Sequence, residues 1–115
     1  MKRGEIYWAD LVPRSGSEHT GRRPVILVSH DGFNQAPGWR SVIVVPITTS
    51  APQRSRTPTV VELPGAATGL PLTSFAVCHQ ATTLDRAKIT AKVGSLTPAL
   101  LRDVEFALKA SLDLD

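Results

Sequence analysis

The sequence predicts a mainly β fold, a small and strongly bent antiparallel sheet or barrel that is closed by one C-terminal helix. Two observations lead to this prediction. The first is a series of five to seven short apolar or alternating segments, separated by loops rich in Pro, Gly and Ser. The second is a final segment, 97–112, in which apolar residues recur at helical spacing. At 115 residues the chain has the length of one domain, so we assign 1–115 to a single domain.

The strands follow from the apolar patterns. The first, GEIYWADL, alternates, with Ile6 and Trp8 on one face. PVILVS and SVIVVPIT are nearly continuous apolar runs, as is typical of strands buried on both faces. TVVEL predicts a short strand, SFAVCHQATTL a longer one, and KITAKVGSL one or two more. Between them, HDGFNQAPGWR predicts a turn or a short helical piece, and PGAATGLPL an irregular segment.

The closing helix has a clear start. Thr97 is a suitable N-cap, and Pro98 follows at the first helical position, where its missing N–H costs nothing. The stripe that we expect to pack on the sheet consists of Leu101, Val104, Leu108 and Leu112.

Composition excludes several classes of protein. The single cysteine, Cys78, allows no internal disulfide and no C-x-x-C zinc site, and its apolar surroundings predict a buried, inert thiol. The N-terminus has no apolar signal region and the apolar runs are too short to span a bilayer, so we expect a cytoplasmic protein. No P-loop, G-x-G-x-x-G, H-E-x-x-H or G-x-S-x-G motif occurs, and no metal or cofactor is predicted.

Positive charge is concentrated in the first half of the chain. Up to Arg56 there are 8 basic and 4 acidic residues, whereas the rest is slightly acidic. Such asymmetry favours a face that binds a polyanion.

Arg23 is the first candidate for a phosphate ligand. It precedes Pro24, at the predicted junction between a loop and the strand that begins at Pro24. A guanidinium fixed there would offer two parallel hydrogen bonds to a phosphate. The alternative is a surface arginine paired with Glu18. Thr48 ends the strand SVIVVPIT, where its hydroxyl would reach a phosphoryl oxygen or simply close a turn.

Other polar and aromatic residues leave two interpretations open. Two of the three histidines would provide an acid and a base for RNA cleavage if they met at one phosphate, but their spacing does not show convergence. Trp39, next to Arg40, is suited to stacking a base or to a core edge. Arg54 and Arg56 are phosphate contacts or serve solubility alone.

Taken in order, these segments resemble the MazF/PemK family over nearly the whole chain. The resemblance is carried by RGEIYWADL, by GSE with RRPVILVS behind it, by VIVVPIT, by HQATTLD and by VGSLTPALLRDVEFAL. It implies an SH3-like barrel with a C-terminal helix, assembled as a homodimer. It further implies the toxin of a type II toxin–antitoxin system, a metal-independent endoribonuclease that cuts single-stranded RNA, chiefly mRNA, at short preferred sequences and so inhibits translation and growth.

The resemblance also implies roles for individual residues. Arg23 and Thr48 match the catalytic arginine and threonine, and Glu18 matches a loop acid implicated in activity. Gln80 matches a glutamine that lines the RNA groove, although His79 stands where a glutamate is usual. The RNA-binding residues that we expect are Ser17, His19, Arg22, His30, Trp39, Arg54, Arg56, His79 and Gln80.

The loop 15–22 is expected to form a flexible wall of the RNA groove, which an antitoxin would occupy with an acidic, extended tail. Two alternatives stay open: a CcdB-like toxin that binds a protein such as gyrase through its C-terminal helix, and a non-catalytic RNA-binding barrel. The presence of both Arg23 and Thr48 favours the nuclease.

Overall fold

The structure is a computed structural model, and it describes residues 1–11, 21–50 and 57–115. The described chain is mainly β and ends in a helix, which confirms the predicted fold class. The strands are β1 Glu5–Leu11, β2 Gly21–Leu27, β3 Ser41–Thr48, β4 Val60–Leu63, β5 Ser74–Val77, β6 Thr82–Asp85 and β7 Ile89–Ser95. The helices are α1 Asp31–Asn34, α2 Gly65–Thr68 and α3 Pro98–Leu112, and 3₁₀ turns occupy Cys78–Gln80 and Arg86–Lys88.

The strands form one antiparallel sheet in the order β4-β5-β3-β2-β1-β7, with β6 also paired to β3. The predicted long strand over SFAVCHQATTL is wrong, because it is divided into β5 and β6. On β3, Val44 and Ile47 are three residues apart, but their partners, Thr82 and Ala76, are six residues apart. The 3₁₀ turn Cys78–Gln80 takes up the three additional residues, so both halves remain paired with β3.

The two ends of the sheet are brought together by backbone packing. The segment PGAATGLPL, predicted to be irregular, contains α2, whose C-cap Gly69 has a φ of 82°. A Cβ on Gly94 of β7 would lie 2.2 Å from the carbonyl oxygen of Thr68, and one on Gly69 would lie 2.9 Å from that of Val93. Only glycine allows these backbones to approach so closely, so α2, which follows the edge strand β4, packs against the opposite edge strand β7.

The apolar runs in β2 and β3 are buried on both faces, as predicted. Ile26 and Val45 belong to the core cluster beneath α3. Val25, Leu27 and Val44 belong to a second cluster on the other face. A strand buried on both faces cannot alternate between apolar and polar residues, which accounts for the continuous runs.

The helix α3 begins as predicted. The Thr97 hydroxyl accepts a hydrogen bond from the N–H of Leu100 at 3.2 Å, and Pro98 is the first helical residue. Val104 and Ala107 are fully buried against the core. The predicted stripe is wrong at its end, because Leu112 is 63% exposed and its turn of the helix lies outside the core cluster.

Cys78 is buried beneath α3, as predicted, and burial raises the pKa of its thiol to about 12. Among the described residues, no helix has the length and apolar character needed to cross a membrane.

Candidate active site

Arg23 and Thr48 lie near the same end of the β2–β3 pair and line the same cavity. The register pairs Leu27 with Val44 and Val25 with Pro46, and continuing it by two residues brings Arg23 opposite Thr48. The paired region ends at Val25 and Pro46, because Pro24 and Pro46 have no N–H to donate. Two polar side chains that are 25 positions apart in the sequence are thereby placed at one end of the sheet.

Arg23 lies within a strand rather than at its mouth. The prediction that the strand begins at Pro24 is wrong, since β2 begins at Gly21. Arg23 pairs with Ala9 and Pro24 with Trp8 across the β1–β2 ladder. The backbone of Arg23 is therefore held by a neighbouring strand while its side chain stays exposed.

A cavity of about 230 Å³ opens between these residues. Its walls are Trp8, Arg22, Arg23, Pro24, Ile47, Thr48, Thr49, Leu70, Pro71 and Ser74. The lining includes two guanidinium groups and three hydroxyls, and the remaining residues are apolar. In the described part of the chain, the walls contain no carboxylate and no imidazole.

Thr48 is half-buried at the last position of β3, paired with Phe75 of β5. Its hydroxyl oxygen accepts a hydrogen bond from the N–H of Ser50 at 3.1 Å. The threonine thus closes a turn, as the structural alternative predicted, and lines the cavity as well. Accepting this bond leaves the hydroxyl proton available for a phosphoryl oxygen.

The cationic character of the cavity comes from Arg22 and Arg23. Two other arginines of the basic first half are engaged in ion pairs, Arg3 with Glu105 and Arg40 with Asp85. Arg22 lies over the indole of Trp8, with its guanidinium carbon 5.1 Å from the ring centroid.

Two predicted RNA-binding residues lie at the other end of the β2–β3 pair. His30 caps α1 through a hydrogen bond that its Nδ1 accepts from the N–H of Gly32. Trp39 stacks on Phe33 at 4.8 Å, just before β3 begins. The eight residues of β3 span about 23 Å at 3.3 Å per step, so neither side chain is brought to the cavity.

His79 and Gln80 are also outside the cavity walls. Both lie in the 3₁₀ turn between β5 and β6, where His79 Nδ1 is 2.9 Å from the hydroxyl of Thr59. Within the described residues, the Oε1 atom of Gln80 is buried without a hydrogen-bond partner. The remaining predicted site residues, Ser17, Glu18, His19, Arg54 and Arg56, lie outside the described residues.

Most of the apolar residues that line the cavity were not predicted from the sequence. Leu70 and Pro71 come from the segment after α2, and Trp8 from β1. The alternation in GEIYWADL did place Trp8 on one face with Ile6. Nothing in the sequence showed that Trp8 and Arg23 line one cavity, because that depends on how the strands pair.

Fold and cavity together define a class: a small antiparallel β protein with a C-terminal helix and a cationic cavity at the end of two central strands. A family model described as a PemK-like, MazF-like toxin of a type II toxin–antitoxin system matches residues 2–112. The chain belongs to this PemK/MazF toxin family, as the sequence resemblance predicted.

Curated relatives cover almost the full length. Endoribonuclease MazF6 of Mycobacterium tuberculosis is 34% identical over 114 residues, which are 99% of this chain and 98% of that protein. Endoribonuclease EndoA of Bacillus subtilis is 33% identical over 114 residues, which are 99% of this chain and 96% of that protein. These relatives confirm endoribonuclease as the predicted enzyme class.

Solved structures agree with the fold. A mycobacterial endoribonuclease in complex with its cognate antitoxin is 27% identical with a TM-score of 0.78, covering 98% of this chain and 95% of that chain. MazF from Deinococcus radiodurans has the same fold, with a TM-score of 0.80 at 23% identity, covering 99% of this chain and 97% of that chain.

Proposed function

We propose that this chain cleaves single-stranded RNA without a metal ion, by attack of a ribose 2′-OH on the adjacent phosphate, and that it does so at the Arg23–Thr48 cavity. The observation that supports the proposal most directly is that Arg23 and Thr48, at the end of β2 and β3, line the same cavity. One side chain brings a fixed positive charge and the other a hydroxyl, which are the groups that a phosphate in the cavity needs.

The chemistry requires little from the protein, because RNA carries its own nucleophile. The 2′ oxygen forms a bond to phosphorus as the bond from phosphorus to the 5′ oxygen breaks. The products are a 2′,3′-cyclic phosphate and a 5′-OH, whose oxygen takes its proton from solvent water or from the Arg23 guanidinium as the bond to phosphorus breaks. Arg23 would stabilise the negative charge that grows on the phosphoryl oxygens, and Thr48 would donate to one of them. Holding the ribose and phosphate in line supplies the rest of the rate enhancement.

The proton of the 2′-OH needs an acceptor, and the described cavity walls contain no suitable group. We assign this role to Glu18. It precedes Arg23 by five positions in the sequence and matches the loop acid that the family resemblance implies. A Glu18→Gln variant should lose cleavage at neutral pH while it still binds RNA, because the amide cannot take up a proton.

We further propose that RNA and an antitoxin compete for the cavity. The exposed Arg22 and Arg23 attract carboxylates as readily as phosphates. A mycobacterial relative has been solved with its cognate antitoxin. For this chain we expect a partner with an acidic, extended segment, and a homodimer as the assembly that binds it.

The cleavage reaction is the test. A long single-stranded RNA is incubated with the wild-type protein in EDTA, and the cut ends are sequenced. We expect cuts at a short recurring motif. Arg23→Ala should lower kcat/KM by about 100- to 1,000-fold, as loss of one charge-stabilising donor does in other enzymes. Thr48→Val should lower it by about 10-fold or more, because one hydrogen bond is lost.

Two variants serve as matched controls. Arg102→Ala removes an exposed arginine of α3, and Thr83→Val removes an exposed threonine hydroxyl of β6. Both should cleave like the wild type. If the wild type is folded and leaves the RNA intact in EDTA, or if Arg102→Ala is as impaired as Arg23→Ala, the proposal is wrong.

A further inference from the structure

We propose that the indole of Trp8 is the platform on which one base of the RNA stacks, and that Arg22, which covers this ring in the free protein, moves off it when RNA binds. The inference rests on the proposed function, since it says which part of the substrate the apolar wall of the cavity holds.

The cavity is lined by two chemically different sets of residues. Arg23, Thr48 and Thr49 are polar and suited to a phosphate. Trp8, Leu70 and Pro71 contribute apolar surface that has no use in binding a phosphate. A nucleotide has the same division, with a charged phosphate at one end and a flat, largely apolar base at the other.

The size of the cavity fits one nucleoside. Its volume of about 230 Å³ lies below the range of about 300–1,000 Å³ that drug-sized ligands fill. It therefore accommodates one base beside the phosphate rather than a run of bases. The neighbouring bases of the strand would lie outside it.

The position of Trp8 matches this geometry. Trp8 pairs with Pro24 in the β1–β2 register, and the next residue, Ala9, pairs with Arg23. One residue step along a strand turns the side chain to the opposite face of the sheet, but Trp8 and Arg23 both line the cavity. A base that is covalently linked to a phosphate at Arg23 is within reach of the ring.

The contact between Arg22 and Trp8 shows that a planar group binds this ring face. The guanidinium carbon of Arg22 lies 5.1 Å from the ring centroid, and Arg22 is exposed. A cation–π contact at an exposed site is worth about 0.5–1 kcal/mol, whereas stacking of a base on an aromatic side chain is worth about 1–3 kcal/mol. The base is therefore the stronger ligand. The displaced guanidinium stays beside the RNA backbone, where it gains a phosphate.

The test combines a protein variant with a modified substrate. Once the cleavage motif is known, RNAs are made with an abasic nucleotide on either side of the scissile phosphate. For the wild type, one of these should be cut about 10- to 100-fold more slowly in kcat/KM than the intact RNA, because the stacking energy is lost. For Trp8→Leu, the intact and abasic RNAs should be cut at equal rates.

This comparison separates stacking from a structural role. If Trp8 only supports the fold, Trp8→Leu lowers the rates on all RNAs by the same factor and the effect of the abasic nucleotide persists, which overturns the inference. Trp8→Phe keeps an aromatic face and should retain the base dependence, so it covers the case in which the leucine variant does not fold.

A binding measurement keeps the inference testable if the proposed function fails. The chain has two tryptophans, so Trp39→Phe leaves Trp8 as the single indole. A short single-stranded RNA should change the emission of Trp8, and an abasic oligomer of the same length should not. If the protein does not cleave RNA but only the intact oligomer changes the emission of Trp8, the proposed function is wrong and the stacking role stands. Equal emission changes with both oligomers contradict the stacking role.

Discussion

Arg23 is positioned for its proposed role by its backbone. It pairs with Ala9 on one side and is followed by Pro24, whose ring fixes the next φ angle. A side chain that projects from a paired strand loses less freedom on binding a phosphate than one that projects from an open loop. This is the physical reason why an arginine before a proline is a good phosphate ligand here.

Glu5 is a second residue whose environment has a measurable consequence. Its side chain is 15% exposed, and its Oε2 pairs with the ammonium of Lys92 at 2.6 Å. Burial acts to raise the pKa of Glu5. Hydrogen bonds from Lys92, the Tyr7 hydroxyl and the N–H of Lys2 outweigh it and lower the pKa from 4.5 to about 2. The ionised carboxylate therefore connects β1 to β7.

This pKa predicts an acid-dependent loss of stability. Because the folded pKa lies below the unfolded one, ionised Glu5 stabilises the fold above about pH 4.5, and this contribution disappears as the pH falls to about 2. Glu5→Gln should be less stable than the wild type at pH 6 by about 1–2 kcal/mol and equally stable near pH 2. Urea unfolding across this range measures the difference.

Asp103→Asn, at an exposed position of α3, is the control for that experiment. A difference between Glu5→Gln and wild type that stays constant from pH 6 to 2 would contradict the assigned pKa.

At the level of elements, the approach of α2 to β7 closes the fold and supports the cavity. Leu70 and Pro71, which form part of the apolar wall, directly follow the close contact at Thr68 and Gly69. The position of that wall therefore depends on Gly94, across from α2.

Gly94→Ala tests this closure. Its Cβ would lie 2.2 Å from the carbonyl oxygen of Thr68, a backbone atom that cannot move alone. We expect a loss of about 2–3 kcal/mol in the free energy of unfolding. The control is Gly38→Ala, where φ is 78° but no atom lies within 4 Å of the added Cβ, so that conformational strain of about 1 kcal/mol is its only cost. Equal losses in both variants, measured by chemical denaturation, would show that the close contact is unimportant.

The sequence predicted the elements better than their boundaries. The pattern in β3 and the Thr97-Pro98 start of α3 were read correctly, because local burial and capping decide them. The division of β5 from β6 was missed. Both segments pair with the same strand, and only the register with β3 shows that three residues must leave the sheet.

At the scale of the whole molecule, only the fold shows where the charged residues and the candidate site lie. Among the described residues of the basic first half, Arg3 and Arg40 pair with acids elsewhere in the chain. Resemblance to the family singled out Arg23 and Thr48. It did not single out Trp8, because the use of an aromatic ring at a cavity depends on which strands become neighbours.

The measurement that tests the central claim most directly is the chemistry of the product ends. The wild type is incubated in EDTA with an RNA that contains its motif. A parallel reaction uses the same RNA with a single 2′-deoxy nucleotide on the 5′ side of the cut. The products of both reactions are analysed by mass spectrometry. We predict a 2′,3′-cyclic phosphate and a 5′-OH from the first RNA, and no cut at that position in the second. Cleavage of the 2′-deoxy RNA at the same bond, or a product with a 5′-phosphate, would show that the 2′-OH is not the nucleophile and would contradict the account.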